Sequence, residues 1–160
     1  MSMENINHPS HYTQHPHGIE CIEIIRHYTC DIANAIKYLW RAGLKQDPDQ
    51  TAINKELEDL GKALWYINDY LDNRGNYRVR LKQQAIVHVS VLKMTHHTVD
   101  DIISGFLPDV AKAMKMLLYV GLIYYEDELN DADWRDDLAM ASWHIKQRIN
   151  YLTIRLRYDY

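Results

Sequence analysis

The chain has 160 residues, 47% of them apolar and 25% charged, with a formal net charge of −4. That is the balance of a soluble globular protein, long enough to bury a core without disulfides and lacking any run of about 18 apolar residues that could span a membrane. The negative charge argues against bulk electrostatic binding to nucleic acid or an anionic membrane, so any positive site must be local.

Residues 1–17 form a polar, histidine-rich segment with no apolar stretch of the kind a signal peptide needs. It contains Asn7-His-Pro-Ser-His-Tyr12, followed by His15 and His17. The spacings fit no standard zinc motif, and no metal site is expected. Ser10, His11 and Tyr12 can donate hydrogen bonds to an anion, and Tyr12 can also stack on a base.

A first helix is predicted over roughly 19–28. The two cysteines, Cys21 and Cys30, form no CxxC pair. Both read as buried small hydrophobes in a reducing cytosol. A second helix is predicted to begin with Asp31 as its cap and to stop near Gly43. Ile32, Ile36, Leu39 and Gly43 recur at four, three and four residues and share an inward face. Asn34, Lys37, Arg41 and Lys45 recur at three, four and four and share another, with Tyr38 beside them. Basic residues at a helix end complement its dipole, which accounts for Arg41 and Lys45 but not for Asn34 and Tyr38.

Asp47-Pro-Asp49 breaks the chain before a long third helix over roughly 51–73. Glu56, Asp59, Lys62, Ala63 and Tyr66 lie on one of its faces. Asp59 is placed to pair with Lys37 or Arg41. Asn73-Arg-Gly-Asn76 reads as the helix end, and residues 77–98 as a connector. Within the connector, 85–92 fits a strand or a helix equally well.

The rest of the chain repeats the first half. Asp31–Gly43 aligns with Asp109–Gly121 at an offset of 78 residues, and the same offset relates Asp59, Leu60, Ala63, Trp65 and Ile67 to Asp137, Leu138, Ala141, Trp143 and Ile145. Helices are therefore expected over about 99–106, from Asp109 to near Gly121, and over about 131–156. The expected fold is all-α: a tandem duplication of a three-helix unit (18–76 and 99–160), packed as one pseudo-two-fold domain. Trp65 and Trp143 are expected in its core near the axis. The second copy has Lys112 for Asn34, Tyr119 for Arg41, Ile123 for Lys45 and Met140 for Lys62. It keeps Lys115 and Asp137, so that pair reads as architectural and the replaced residues as ligand contacts.

No phosphate-binding GxxxxGK[ST] loop, HExxH, GxSxG or kinase signature occurs. Glu20 and Glu23 form an ExxE, and Glu56 and Asp59 an ExxD, the pattern by which all-helical nucleotide pyrophosphatases hold magnesium; the signal is weak because such pairs are common on helices.

The set Asn7-His-Pro-Ser-His-Tyr, Gly18-Ile-Glu-Cys-Ile-Glu, Asn34-Ala-Ile-Lys-Tyr-Leu-Trp-Arg-Ala-Gly-Leu-Lys45 and Glu58-Asp-Leu-Gly-Lys-Ala-Leu-Trp-Tyr66 resembles a small family widespread in phages and prophages. Its members are mostly of unknown function, and one is a podophage nucleotide kinase without a P-loop. The resemblance covers about residues 6–72. It implies a phage origin, the host cytoplasm and a helical nucleotide-handling role. By matching position it picks out Pro9, Ser10, His11, Tyr12, Glu20, Glu23, Asn34, Lys37, Tyr38, Arg41, Lys45, Asp59, Lys62 and Tyr66.

The leading expectation is a nucleotide, or another phosphorylated small molecule, bound by the first copy, with no further cofactor. His11, Lys37, Arg41 and Lys45 would hold phosphate oxygens. Tyr12, Tyr38 or Trp40 would stack on the base or sugar. Asn34 and Asp59 would orient the ligand, with Ser10, Lys62 and Tyr66 nearby. Arg41 is taken as an exposed helix-end side chain that contributes little to the fold. A nucleoside monophosphate kinase-like phosphotransferase would act by positioning and charge neutralisation; no catalytic residue is assigned. The alternatives are a sponge for a host signalling nucleotide and an inhibitor of a host enzyme acting through the tyrosine-rich tail, 151–160. A homo-oligomer is an open expectation; direct nucleic-acid or membrane binding is not expected.

Overall fold

The computed structural model describes residues 8–73, 91–120 and 133–158. Ile123, Gly121 and most of the connector lie outside them, including 85–90 of the stretch open to strand or helix; residues 91–95 are helical. Among the described residues every extended element is a helix, and there is no strand. The elements are α1 (Ser10–Thr13), α2 (Cys21–Ile25), α3 (Cys30–Arg41), α4 (Ala52–Asn73), α5 (Val99–Ile103), α6 (Pro108–Leu118) and α7 (Asp133–Tyr158).

The helix ends have local causes. Thr51 accepts the amide of Asn54 at 3.2 Å and so caps α4. Thr98 does the same for α5, accepting from Asp101 at 3.0 Å. Gly43, at φ +79°, terminates the chain's run after α3 in the left-handed region that glycine tolerates. Asp31 is not the cap expected of it. Thr29 holds that position, and Asp31 lies in the first turn, where its charge still complements the dipole. Cys30, expected to be buried, is exposed at the first position of α3, whereas Cys21 is buried.

Two helix pairs dominate the packing, α3 on α4 and α6 on α7, and α4 packs on α7 to join them. Residues 78 apart share their burial: Ile32 with Val110, Ile36 with Met114, Leu39 with Leu117, Leu60 with Leu138 and Ile67 with Ile145 are all in the core. Each such side chain stabilises the fold by about 1.5–3 kcal/mol.

Trp65 and Trp143 do not occupy the core. They are 59% and 51% exposed. The inward face of α4 is Leu60, Ala63, Ile67 and Tyr70. Trp65 stands two residues from both Ala63 and Ile67, a rotation of about 200°, which turns it outward. Among the described tryptophans the buried one is Trp40, packed edge-on against Phe106 at 5.2 Å and beside His15 at 5.3 Å.

Polar contacts also tie the N-terminal region to the second half. The Tyr28 hydroxyl donates to the Leu118 carbonyl at 2.9 Å. His15 Nε2 meets the Ile102 carbonyl at 2.9 Å, and the Pro16 ring lies against Gly105.

Candidate anion-binding site

The first half brings most of the expected residues together where α1 crosses the C-terminal end of α3 and the N-terminal half of α4. Its centre is an ion pair. Arg41 Nη2 donates to Asp59 Oδ1 at 2.7 Å, and the Asp59 side chain is wholly buried. Arg41 Nη1 reaches the Tyr12 hydroxyl at 3.4 Å, and the guanidinium lies 4.5 Å from the centre of the Tyr38 ring. Lys55 adds a second cation to Asp59, at 3.4 Å. Among the described residues, Arg41 Nε and Asp59 Oδ2 find no hydrogen-bond partner.

Arg41 is therefore a buried side chain, not the exposed helix-end arginine its position suggested. It is covered because α4 packs on α3 and places Asp59 against it. Of the two partners considered for Asp59, the structure selects Arg41. Lys37 instead donates to Asn34 Oδ1 at 2.7 Å, while the Asn34 amide donates to the Cys30 carbonyl at 2.9 Å. Lys37, the residue that Lys115 matches in the second half, is therefore not the partner of Asp59. In the second half, Tyr119 occupies the position of Arg41, and the Asp137 charge is one of the influences that raise its hydroxyl pKa, after burial and Asp100.

Around the ion pair stands a surplus of positive charge. Tyr38 stacks on Tyr66, centroids 5.8 Å apart at 18°. Lys37 and Lys62 lie 5.0 and 5.6 Å from the centre of the same Tyr38 ring. Lys62 is held by Glu58. Glu58 also accepts from Gln50 and pairs with Lys55, and these contacts hold its carboxyl well below the usual carboxylate range. Lys45 follows α3 in the loop, with its backbone amide bonded to the Arg41 carbonyl at 3.0 Å. Its side chain has no ion pair among the described residues. Partial burial lowers its pKa, and the Arg41, Lys55 and Lys62 charges lower it further. His11 is treated alike: burial first, then Lys45 and Arg41, push its pKa below 6.5. Two basic groups from different segments thus face the same cationic field, which Asp59 offsets in part.

Tyr12 connects this cluster to a cavity of about 280 Å³ lined by Pro9, Tyr12, Glu20, Cys21, Ile22 and Lys37 among others. A second cavity of about 260 Å³, at the seam between the halves, is lined by His15, Trp40, Glu56, Phe106 and Arg148; of the expected ligand residues only Trp40 borders it.

Several expected contributions go elsewhere. Trp40 is 1% exposed and cannot stack on a ligand. Ser10 is exposed on α1, and its carbonyl accepts from Thr13. The acidic residues of the ExxE and ExxD patterns do not converge: Glu20 meets His8, Glu23 meets His97, Glu56 meets Arg148, and Asp59 meets Arg41. Lys55 was missed, although its i, i+4 spacing to Asp59 is a readable signal. The bidentate Glu56–Arg148 pair, at 2.7 and 3.2 Å, joins residues 92 apart and has no local signature.

Searches of curated proteins and of solved structures found no match. Residues 6–68, which hold every member of the first-half cluster, match the model of a family described as a protein of unknown function (DUF3310).

Proposed function

We propose that the first half binds a phosphorylated small molecule, a nucleotide before others, with its phosphate at His11, Lys45 and Lys62 over the Arg41–Asp59 pair. The observation that carries this reading is a cationic rim around the buried Arg41–Asp59 pair in which Lys45 makes no ion pair among the described residues; burial and the neighbouring cations disfavour the charged forms of Lys45 and His11, and Asp59 offsets this only in part. An anion would relieve both. Charge-assisted donors of this kind are the strong ones. Tyr12 and the Tyr38–Tyr66 stack offer aromatic surface for a base or sugar, and the adjoining cavity has room for part of one. Asp59, held by Arg41 and Lys55, fixes the cationic array in place.

The same proposal takes the second half as a degenerate copy that serves as scaffold. The matched burial at the 78-residue offset supports it, as does the replacement of Arg41 by buried Tyr119. The phage setting rests on the sequence resemblance. A kinase-like phosphotransferase would need only positioning and neutralisation at such a site, while a sponge would bind without turnover. A thermal-shift screen of nucleoside mono-, di- and triphosphates, cyclic dinucleotides and inorganic phosphate, followed by product analysis of each hit, tests the reading. Stabilisation by phosphorylated ligands and not by the parent nucleosides supports it; no stabilisation by any phosphate ester defeats it.

A further inference from the structure

We propose that this chain pairs with a second copy of itself along α7, antiparallel, about a two-fold axis passing at Gln147. The inference does not depend on the ligand reading above, because it concerns the opposite end of the chain.

Helix α7 is apolar on two faces. One face, Leu138, Ala141, Ile145 and Leu152, is buried in the core. The other consists of Met140, Trp143, Tyr151, Ile154 and Tyr158, exposed by 45% to 84%. With Gln147 these residues recur at three, four, four, three and four, one straight stripe on an α-helix. A surface helix normally turns its charged residues away from its buried stripe. Here the outward stripe is apolar for most of its length. Its exposed area is on the order of 600 Å², taking about 200 Å² for each large side chain. Flanking residues bring that near the ~800 Å² per partner of a standard interface, and patches of this size mark interaction sites.

The stripe is self-complementary, which is what a two-fold interface requires. Trp143 and Tyr151 stand four residues either side of Gln147. Met140 and Ile154 stand seven either side. An antiparallel copy therefore sets Trp143 against Tyr151 of the second copy and Met140 against its Ile154, with the two Gln147 amides able to bond each other. Charge selects the same direction. Asp136 lies near the start of α7, and Arg155 and Arg157 lie in its last turn. The antiparallel arrangement brings acidic start to basic end twice, whereas a parallel one opposes like charges.

The test uses the full chain with Cys30→Ser, which removes the exposed native thiol and leaves buried Cys21. Gln147→Cys in that background is oxidised mildly and run on non-reducing gels, beside Lys112→Cys as an exposed control. A dimer band for Gln147→Cys, absent for Lys112→Cys and abolished by adding Trp143→Lys, is expected, since only facing cysteines reach disulfide geometry. Sedimentation should show wild type as a dimer and Trp143→Lys as a monomer. Tyr151→Lys and Ile154→Lys serve if circular dichroism shows that variant unfolded. A wild-type monomer at all concentrations overturns the proposal, whether iodide quenching finds Trp143 open or shielded by its own chain. A dimer indifferent to all three lysine substitutions overturns it as well.

Discussion

Arg41 and Asp59 are joined at 2.7 Å with the carboxylate fully buried, and this pair is both the floor of the candidate site and a structural element. The two roles make Arg41 a poor probe of binding. Removing it leaves the Asp59 charge with Lys55 alone. Arg41→Ala is expected to destabilise the fold by about 3–5 kcal/mol, the cost of breaking a buried pair. The double variant Arg41→Met with Asp59→Leu should recover most of that loss, because no buried charge is then stranded. Denaturant melts of the three proteins check this. An Arg41→Ala protein as stable as wild type would contradict the burial.

The tryptophans give a contrast within one residue type. Trp40→Ala should cost about 3–5 kcal/mol, as for other large core truncations. Trp65→Ala and Trp143→Ala should each cost under about 1 kcal/mol in the monomer, since both indoles face outward. Thermal melts at low protein concentration separate the two classes.

His15 links the N-terminal segment to α5 and makes that link sensitive to acid. Its Nε2–H donates to the Ile102 carbonyl, and its Nδ1 accepts the His17 amide at 3.2 Å, so the network assigns the neutral ring. Burial, above all, depresses its pKa below 6.5. A base with a lowered folded pKa binds fewer protons folded than unfolded. Its contribution is therefore complete above about pH 6.5 and is lost as pH falls through the folded value. The melting temperature should drop between pH 7.5 and about 5. His15→Gln, which keeps a donor for Ile102 but does not titrate, should flatten that dependence. A slope unchanged by the substitution would assign the acid loss to other groups.

Two glycines should respond with opposite sign. Gly105 sits at φ +81°, and a Cβ there would stand 2.4 Å from Pro16 Cγ. Gly105→Ala should destabilise by about 1–3 kcal/mol. Gly61 lies within α4 with open space around it. Gly61→Ala should stabilise by about 0.5–1 kcal/mol through helix propensity. Equal effects in thermal melts would count against this account of the seam between α5 and the N-terminal segment.

The helices were legible because apolar spacing near 3.6 residues is a strong signal, and Ile32, Ile36, Leu39, Leu60, Ala63 and Ile67 all obey it. The misplacement of Trp65 and Trp143 came from weighing hydrophobicity above phase: the inward row of α4 already excluded Trp65. The members of the site were legible as types on a face, but their pairings were not. Spacing alone places both Lys37 and Arg41 within reach of Asp59, and the choice depends on which side chain α4 covers. Arg41's burial and the Glu56–Arg148 bridge arise from tertiary packing between distant segments, for which the local pattern carries no information. Lys55 was the one omission that helical spacing could have supplied.

The central claim is an anion site in the first half, and Lys45 tests it most directly because it borders the site without an ion pair of its own among the described residues. Calorimetric titration with a nucleoside monophosphate and with inorganic phosphate should compare wild type, Lys45→Ala and Lys112→Ala, the last losing the same charge from an exposed position in the second half. Binding by wild type and Lys112→Ala, weakened about tenfold or more in Lys45→Ala, is the predicted result, a difference of about 1.4 kcal/mol. Melting temperatures should be nearly equal across the three. Affinity should also rise as pH falls toward 6, since an anion favours protonated His11. Lys45→Ala binding as tightly as wild type, or no binding by any of the three, would contradict the account.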